Sequence, residues 1–307
     1  MRPLIIGNAS DLHVEAVVGA LAAAGGPEPL LVDAPLLREE GFCLTEASLR
    51  IGDISVTRSE PGRGWLRRYA PAQWGLGIES GSLAAAVHRA FLTLVGAIAR
   101  METLEWLTDI EAMLRAEDRL HQLTTAGAIG IAVPRTVVAS TPADVVAHLG
   151  ENFVVKPLSL GFFWTEAGAR AVYTSELDAA TASEIDFGGA PFVAQEKICA
   201  ERHLRVVTVG SRAWIASLSA EDRPLDWREQ EGAHREWAMD ADEQVGQQAI
   251  ALARTLRVGY SSQDWLVRGE DRLFIDLNPG GQWLFLPEAV ACSVTEAIAD
   301  FLLSEGP

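Results

Sequence analysis

Short apolar runs alternate along the chain with stretches whose apolar residues recur every three or four positions. That mixture predicts an α/β protein. "PLIIG" (Pro3–Gly7) reads as a buried strand. Ser10 reads as the N-cap of a helix carrying Val14, Val17, Val18 and Leu21, which runs to Gly25-Gly26. "PLLVD" (Pro29–Asp33) follows as a second strand, completing a β-α-β unit. No G-x-G-x-x-G follows the first strand, so this unit is not read as a dinucleotide site. A short hairpin is expected in "SLRIGDISV", and "GWLRRYAP" sets Arg67 and Arg68 beside aromatics. Leu83 to Thr125 has helical spacing throughout, closing at Gly127. "AVPRTVVAS" is a strand, Thr141-Pro142 opens a helix that closes at Gly150, and "NFVVKPL" and "PFVAQEKI" are strands. "HLRVVTVG" and "RAWIASL" form a hairpin across Gly210-Ser211. A helix over Asp240–Leu256, a hairpin of "SSQDWLV" with "RLFIDLN", and a helix over Ser293–Leu303 complete the chain. Repeats and low-complexity tracts are absent from the sequence.

The last hairpin breaks the pattern. In "FIDLNPGGQWLFLPE", Asp276 and Asn278 stand two apart in an apolar strand, so they share a face. Leu273, Ile275 and Leu277 are expected on the other. A loop of Gly269-Glu270-Asp271 would place Arg268 opposite Arg272 and Asp264 opposite Asp276. Opposed carboxylates, with Cβ atoms roughly 4.5–5.5 Å apart, repel. Two carboxylates and an amide oxygen suit Mg²⁺. The competing reading is a solvated polar face in a slipped register.

Composition narrows the partners. The 307 residues allow two or three small domains, and 49% hydrophobic with 22% charged residues is ordinary for a globular chain. A net charge of −17 argues against broad contact with a nucleic-acid backbone. Cys43, Cys199 and Cys292 form no C-x-x-C, so neither a disulfide framework nor a zinc site is expected. The start has too short an apolar run for a signal segment, and Ala90–Ala99 is too short to span a membrane. No membrane partner and a cytoplasmic location are the expectation. The six histidines show no metal spacing.

With these residues in place, the chain resembles the ATP-grasp ligases, in which an Asp on one strand precedes E-x-N-P on the next. "DLNPGGQW" is similar to the NP-x-GQW signature of the members that modify ribosomal peptides, the microviridin-type or graspetide ligases. Asp226-Trp227-Arg228 resembles their D-x-R substrate motif. "FVVKPLSLG" resembles the phosphate-binding strand and loop, and "FVAQEKICAERHLRVVTVG" the adenine hinge and ribose strand. The resemblance covers about residues 60–305 well. It implies an ATP-grasp fold with a pre-ATP-grasp domain (1–105), a central lid domain (106–190) and a C-terminal domain (191–307). It implies ATP and Mg²⁺ as cofactors, a precursor peptide of leader plus core as partner, and a homodimer.

The resemblance also implies roles. Lys156, Arg119 and Ser159, the last in a loop with Gly161, would meet the ATP phosphates. Gln195, Glu196, Lys197 and Ile198 would form the hinge, with adenine against the backbone of Glu196 and Ile198. Glu201 would hold the ribose and Arg205 the γ-phosphate or acyl phosphate. Arg228 would grip a substrate carboxylate, since arginine does so with two parallel bonds, and Asp226 would orient the peptide. Asp264, Asp276 and Asn278 would hold the metal. Four positions depart from the family pattern: Arg119 for Lys, Asp276 for Glu, Thr108 where Asn is frequent, and Pro287 where an acid is frequent. Two rivals stand beside peptide macrocyclisation. One is a ligase for free amino acids or small carboxylates; GQW and Asp226-Trp227-Arg228 count against it. The other is an ATP- or peptide-binding module with weak catalysis, which the departures support.

Overall fold

The computed structural model describes residues 2–57, 60–70, 72–75, 77–158, 162–165, 168–171, 174–184 and 191–304. The chain opens on β1 (Leu4–Ile6), α1 (Leu12–Ala23), β2 (Leu30–Val32) and α2 (Ala34–Glu40). The cap of α1 is Asp11, one residue beyond the expected Ser10, because its carboxylate accepts from His13 N at 2.9 Å while Ser10 Oγ turns to Asn8. A small antiparallel sheet follows: β3 (Phe42–Leu44), β4 (Ser48–Ile51) and β5 (Ile54–Thr57). Gly52, at φ +55°, makes the expected hairpin turn. β6 (Gly62–Leu66), α3 (Leu83–Ala99) and β7 (Leu104–Trp106) complete the region, giving a parallel sheet in the order β2-β1-β6-β7.

The expected long helical stretch is therefore broken. α3 stops at Ala99, β7 joins the sheet, and α4 (Ile110–Ala116) and α5 (Arg119–Ala128) start afresh. The cause is local. Asp109 accepts from Ala112 N at 2.7 Å, and Asp118 from the backbone N–H groups of Leu120 and His121, so each acid caps a new helix. Leu104 with Leu107 fits a helix and Leu104 with Trp106 a strand, and pairing with β6 decides it.

Next come β8 (Thr136–Ala139), α6 (Pro142–Leu149), β9 (Asn152–Pro157), the pair β10 (Phe162–Thr165) and β11 (Gly168–Ala171), β12 (Ser175–Asp178), α7 (Ala179–Glu184) and β13 (Phe192–Glu196). β8, β9, β12 and β13 form an antiparallel sheet, ordered β12-β9-β13-β8. α6 has the expected ends: Thr141 accepts from Asp144 N, Pro142 is the first residue, and Gly150 closes it at φ +88°. This sheet has its own apolar cluster, built on Val145, Leu149, Phe153, Phe192 and Ala194.

The remaining elements are β14 (Arg202–Val209), β15 (Arg212–Ser219), β16 (Ala238–Asp240), α8 (Glu243–Thr255), β17 (Tyr260–Arg268), β18 (Asp271–Asn278) and α9 (Glu288–Leu303). The five strands run antiparallel in the order β16-β15-β14-β17-β18. Alternate residues of β14 serve two cores. Val207 and Val209 pack with α9, α1 and Trp65 of the N-terminal sheet, while Leu204 and Val206 pack with α4, α5 and α8. α9 starts five residues before the expected Ser293, with Pro287 at its N-cap. Among the described residues no helix is long and apolar enough to cross a membrane.

Thr108 fixes the start of β17. It is buried, and its Oγ1 accepts from Gly259 N at 3.0 Å and Tyr260 N at 3.2 Å. Gly259 packs so closely on the Leu107 carbonyl that a Cβ has no room. Thr108→Val keeps the shape and removes the acceptor. It should lower stability by about 1–3 kcal/mol, the cost of buried donors left unmet. Denaturant unfolding measures this, and an unchanged midpoint would show that the N–H groups find another partner.

Candidate active site

The register of the β17–β18 hairpin decides the geometry. Its loop is shorter than expected, with Arg268 opposite Asp271 rather than Arg272. At the step from Trp265 to Asp264 a bulge then shifts the pairing by one residue, leaving Ile275 of β18 as the extra, unpaired residue. Below it, Asp264 lies opposite Asp276 and Ser262 opposite Asn278, as expected but by a different route. The bulge also alters the face pattern. Ile275, expected with the packing residues, lines the same cleft as Asp276, whereas Phe274 and Leu277 enter the core.

On the other side of β17, Asp264 lies opposite Arg205 of β14. Arg205 Nε stands 3.1 Å from Asp264 Oδ1, and its Nη1 donates to Ser262 Oγ at 3.0 Å. From α5, Arg119 Nε donates to Asp276 Oδ1 at 3.1 Å. A row of plus, minus, minus, plus thus crosses the sheet: Arg205, Asp264, Asp276, Arg119. Burial pushes the Asp264 carboxyl above the ordinary range, and Asp276 adds to the push against the pull of Arg205.

This row floors a cleft of about 360 Å³ between the five-stranded sheet and β9–β13. Lys156, on β9, enters it half-buried and donates to Gln195 Oε1 at 2.7 Å; Gln195 in turn donates to Thr136 Oγ1 at 2.9 Å. Burial brings the Lys156 ammonium down to about 8, against the pull of Asp276. Asp226, buried, accepts from Arg228 N and from Arg228 Nε at 2.7 Å, and pairs with its Nη2 as well. Arg228 is thus held by its own motif, with more than half of its side chain (57%) still exposed. At the hinge, Glu196 N donates to Arg135 O and its carboxylate accepts from Arg135 Nε, while Lys197 pairs with Glu176. The Glu196 N–H is therefore already spent, so any hydrogen bond made there would use its carbonyl.

Eleven predicted residues line the cleft together: Arg119, Lys156, Gln195, Glu196, Lys197, Ile198, Arg205, Asp226, Arg228, Asp264 and Asp276. Two described ones do not. Glu201 is exposed and accepts from Gly269 N at 3.1 Å, capping the hairpin loop. Asn278 lies beyond the cleft lining, and its Oδ1 accepts from Gly280 N at 2.9 Å. Ser159 and Gly161 lie outside the described residues.

Sequence reasoning missed His203, Cys199, Trp227 and Arg223 as cleft residues. His203 lies two positions from Arg205 on the same strand face, a signal that period two supplies. Burial lowers its pKa, so it is neutral near pH 7. Trp227 packs on Trp237 and Phe285 at 5.3 and 5.8 Å, and the Arg205 guanidinium lies 5.6 Å from the Phe285 ring centre. Those contacts join distant segments, so spacing could not reveal them.

The residues present fit a polyphosphate with a divalent cation. Arg205 Nε is buried and ion-paired with Asp264 without the geometry of a hydrogen bond, so its donor capacity is not fully used. Two hard carboxylates face each other beside it. Among the described residues no group of three His, Cys, Asp or Glu can hold a metal. The pair would therefore need Asn278, water or phosphate oxygens to complete a shell.

No protein-family model and no curated protein matches the chain. Solved structures do. The macrocyclase MdnC of Microcystis aeruginosa MRC, bound with precursor peptide MdnA, has 21% identity and a TM-score of 0.81 over 99% of this chain and 100% of that one. A RiPP-associated ATP-grasp ligase of Chryseobacterium gregarium, in complex with ADP and leader and core peptides, has 19% identity and a TM-score of 0.85 over 100% and 98%. The ATP-grasp ligase PsnB, complexed with a precursor variant, Mg and ADP, has 20% identity and a TM-score of 0.75 over 99% and 98%. The chain has the ATP-grasp fold. In this ATP-grasp protein β8, β9, β12 and β13 form one wall of the cleft and the five-stranded sheet the other.

Lys156 gives the ATP-grasp cleft a pH signature. Its pKa falls on folding, so below pH 8 the folded state holds a charge that burial disfavours. Between about pH 8 and the ordinary lysine range, the unfolded chain keeps a proton the folded chain has lost, and stability rises with pH. Lys156→Met should therefore stabilise the protein most at pH 7, and the gain should shrink by pH 9.5. Denaturation curves at both values test this, and a gain independent of pH would show that Lys156 is not desolvated.

Proposed function

We propose that this protein is an ATP-dependent, ADP-forming ligase. It activates Asp or Glu side chains of a ribosomally made precursor peptide and closes macrocyclic ester or amide links. The observation that carries the reading is the charge row Arg205, Asp264, Asp276, Arg119 on the cleft floor, with Lys156 beside it and Arg228 at the half-exposed rim. A fold otherwise seen here in ligases bound to ADP and precursor peptides supports it.

The chemistry follows from position. A peptide carboxylate oxygen attacks the γ-phosphorus of ATP. The bond to the β–γ bridging oxygen breaks, giving an acyl phosphate and ADP. A hydroxyl or amine of the same peptide then attacks the acyl carbon. The phosphate leaves with the bonding electrons, and the nucleophile gives up its proton. No covalent nucleophile is asked of the protein. Lys156, Arg119 and Arg205 neutralise phosphate charge, and the hinge from Gln195 to Ile198 seats the base. Asp264 and Asp276, completed by Asn278, would hold Mg²⁺, which supplies charge neutralisation at the phosphates. Ser159 would meet the phosphates and Glu201 the ribose.

Arg228 reads the substrate. A peptide carboxylate reaching it must share a guanidinium already bridged to Asp226, so Asp226 fixes the fork in place. A homodimer and a cytoplasmic location belong to the same reading. The exposed apolar side of α3, with Leu83 82% exposed and Val87 41%, supports the first. Three free, exposed cysteines support the second.

The test supplies Mg²⁺, ATP and short peptides encoded by neighbouring reading frames. The expected result is one ADP and the loss of one water's mass per link, read by mass spectrometry. ADP formed only with free amino acids would establish the small-carboxylate ligase instead. Neither product would leave a binding module. Arg228→Ala should abolish the mass loss, at least about a hundredfold if an arginine–carboxylate pair worth about 3 kcal/mol is lost. ADP affinity should hardly change. Unchanged peptide turnover would remove Arg228 from the substrate site.

A further inference from the structure

Arg67 follows β6 in the N-terminal sheet, yet its side chain serves the far end of β18. It is 1% exposed. Nη1 donates to the carbonyl of Gly281 at 3.0 Å and also to that of Gly280, while Nε donates to Asp11 Oδ2 at 3.1 Å. Tyr260 Oη donates to the same Gly281 carbonyl at 3.0 Å. Trp283 N donates to His13 Nε2 at 3.2 Å, and His13 Nδ1 lies 2.9 Å from Asp11 Oδ1. An accepting Nε2 places the proton on Nδ1, where it meets Asp11. Burial pulls the His13 pKa down and favours that neutral ring.

The buried cation is thus committed to two backbone carbonyls in the turn after Asn278. That turn has no slack. Asn278 Oδ1 accepts from Gly280 N, Asn278 O accepts from Gly281 N, and Gly281 packs on the side chains of Ser262 and Asn278 with no room for a Cβ. A Cβ on Gly280 would stand 2.8 Å from the Arg67 carbonyl. Asn278 is exposed and ends its strand, where pairing alone holds it weakly. Simple glue between domains would not need a charge, because a buried, singly paired guanidinium is a costly way to gain stability.

We propose that Arg67 is a positioning residue. By clamping the Gly280 and Gly281 carbonyls it fixes the turn whose Gly280 N–H holds Asn278 Oδ1, two residues along β18 from Asp276, so the N-terminal domain sets where the third oxygen donor stands beside Asp264 and Asp276. This rests on the ligase reading above.

The test uses the full chain and titrates ADP calorimetrically, with Mg²⁺ and with the metal chelated. Two variants are compared with the wild type. Arg67→Lys keeps the charge and loses the fork. Asp11→Asn keeps the cap of α1 and loses the anchor of Arg67. Both should bind metal-free ADP as the wild type does, while the gain in affinity from Mg²⁺ falls about tenfold, or about 1.4 kcal/mol. Arg67→Lys should show the larger loss. If it does not fold, Asp11→Asn decides. A full Mg²⁺ gain in a folded variant overturns the positioning role, as does an equal loss with and without metal. A wild-type protein that binds no ADP sinks the ligase reading itself.

Discussion

Two like charges held opposite each other on a sheet are the constraint around which this cleft is arranged. Asp264 and Asp276 cannot separate, because the hairpin register and its bulge hold their backbones. The surrounding charges answer that repulsion. Arg205 arrives by strand pairing and Arg119 by the start of a capped helix. Among the described residues the cleft is lined by six basic side chains (Arg119, Lys156, Lys197, Arg205, Arg223, Arg228) and five acids (Glu176, Glu196, Asp226, Asp264, Asp276). The local surplus of one positive charge contrasts with −17 for the whole chain. That surplus favours an anionic ligand in the cleft, against the sign of the whole chain.

That row also gives physical content to two departures from the ligase pattern. Asp276 is one methylene shorter than glutamate, and the arginine at 119 is longer and more forked than a point-charge lysine donor. In the structure these two are each other's partner, at 3.1 Å. Thr108, a third departure, caps the start of β17 through its hydroxyl, so its role is in the frame of the site.

Much of this was legible in the sequence, for a reason that differs by element. Period-two strands and capped helices are local, so α6, the β14–β15 hairpin and the strand Asn152–Pro157 emerge from a few residues each. Asp264 opposite Asp276 came out correctly from an incorrect loop, because the bulge offsets the shorter turn. The break of the helical stretch at β7 was missed, since Leu104 pairs with Leu107 at helical spacing as well as with Trp106 at strand spacing. His203 and Trp227 were missed for another reason. Their place in the cleft depends on partners far away in the chain, and a burial pattern at one position carries no word of them. The GQW run was legible as a resemblance, but its residues are not in the cleft lining: Gly281 and Trp283 knit the turn to His13 and Arg67.

The sheet of β8, β9, β12 and β13 has a core to itself. Its apolar cluster draws only on residues between Val137 and Phe192–Ala194, while α9 welds the N-terminal and five-stranded sheets into a second, larger body. Changes within the small core should thus combine additively with changes in the large one, as independent sites do. The two walls of the cleft are stabilised separately. The packing behind the wall that carries Lys156 can change while the charge row that faces it keeps its frame.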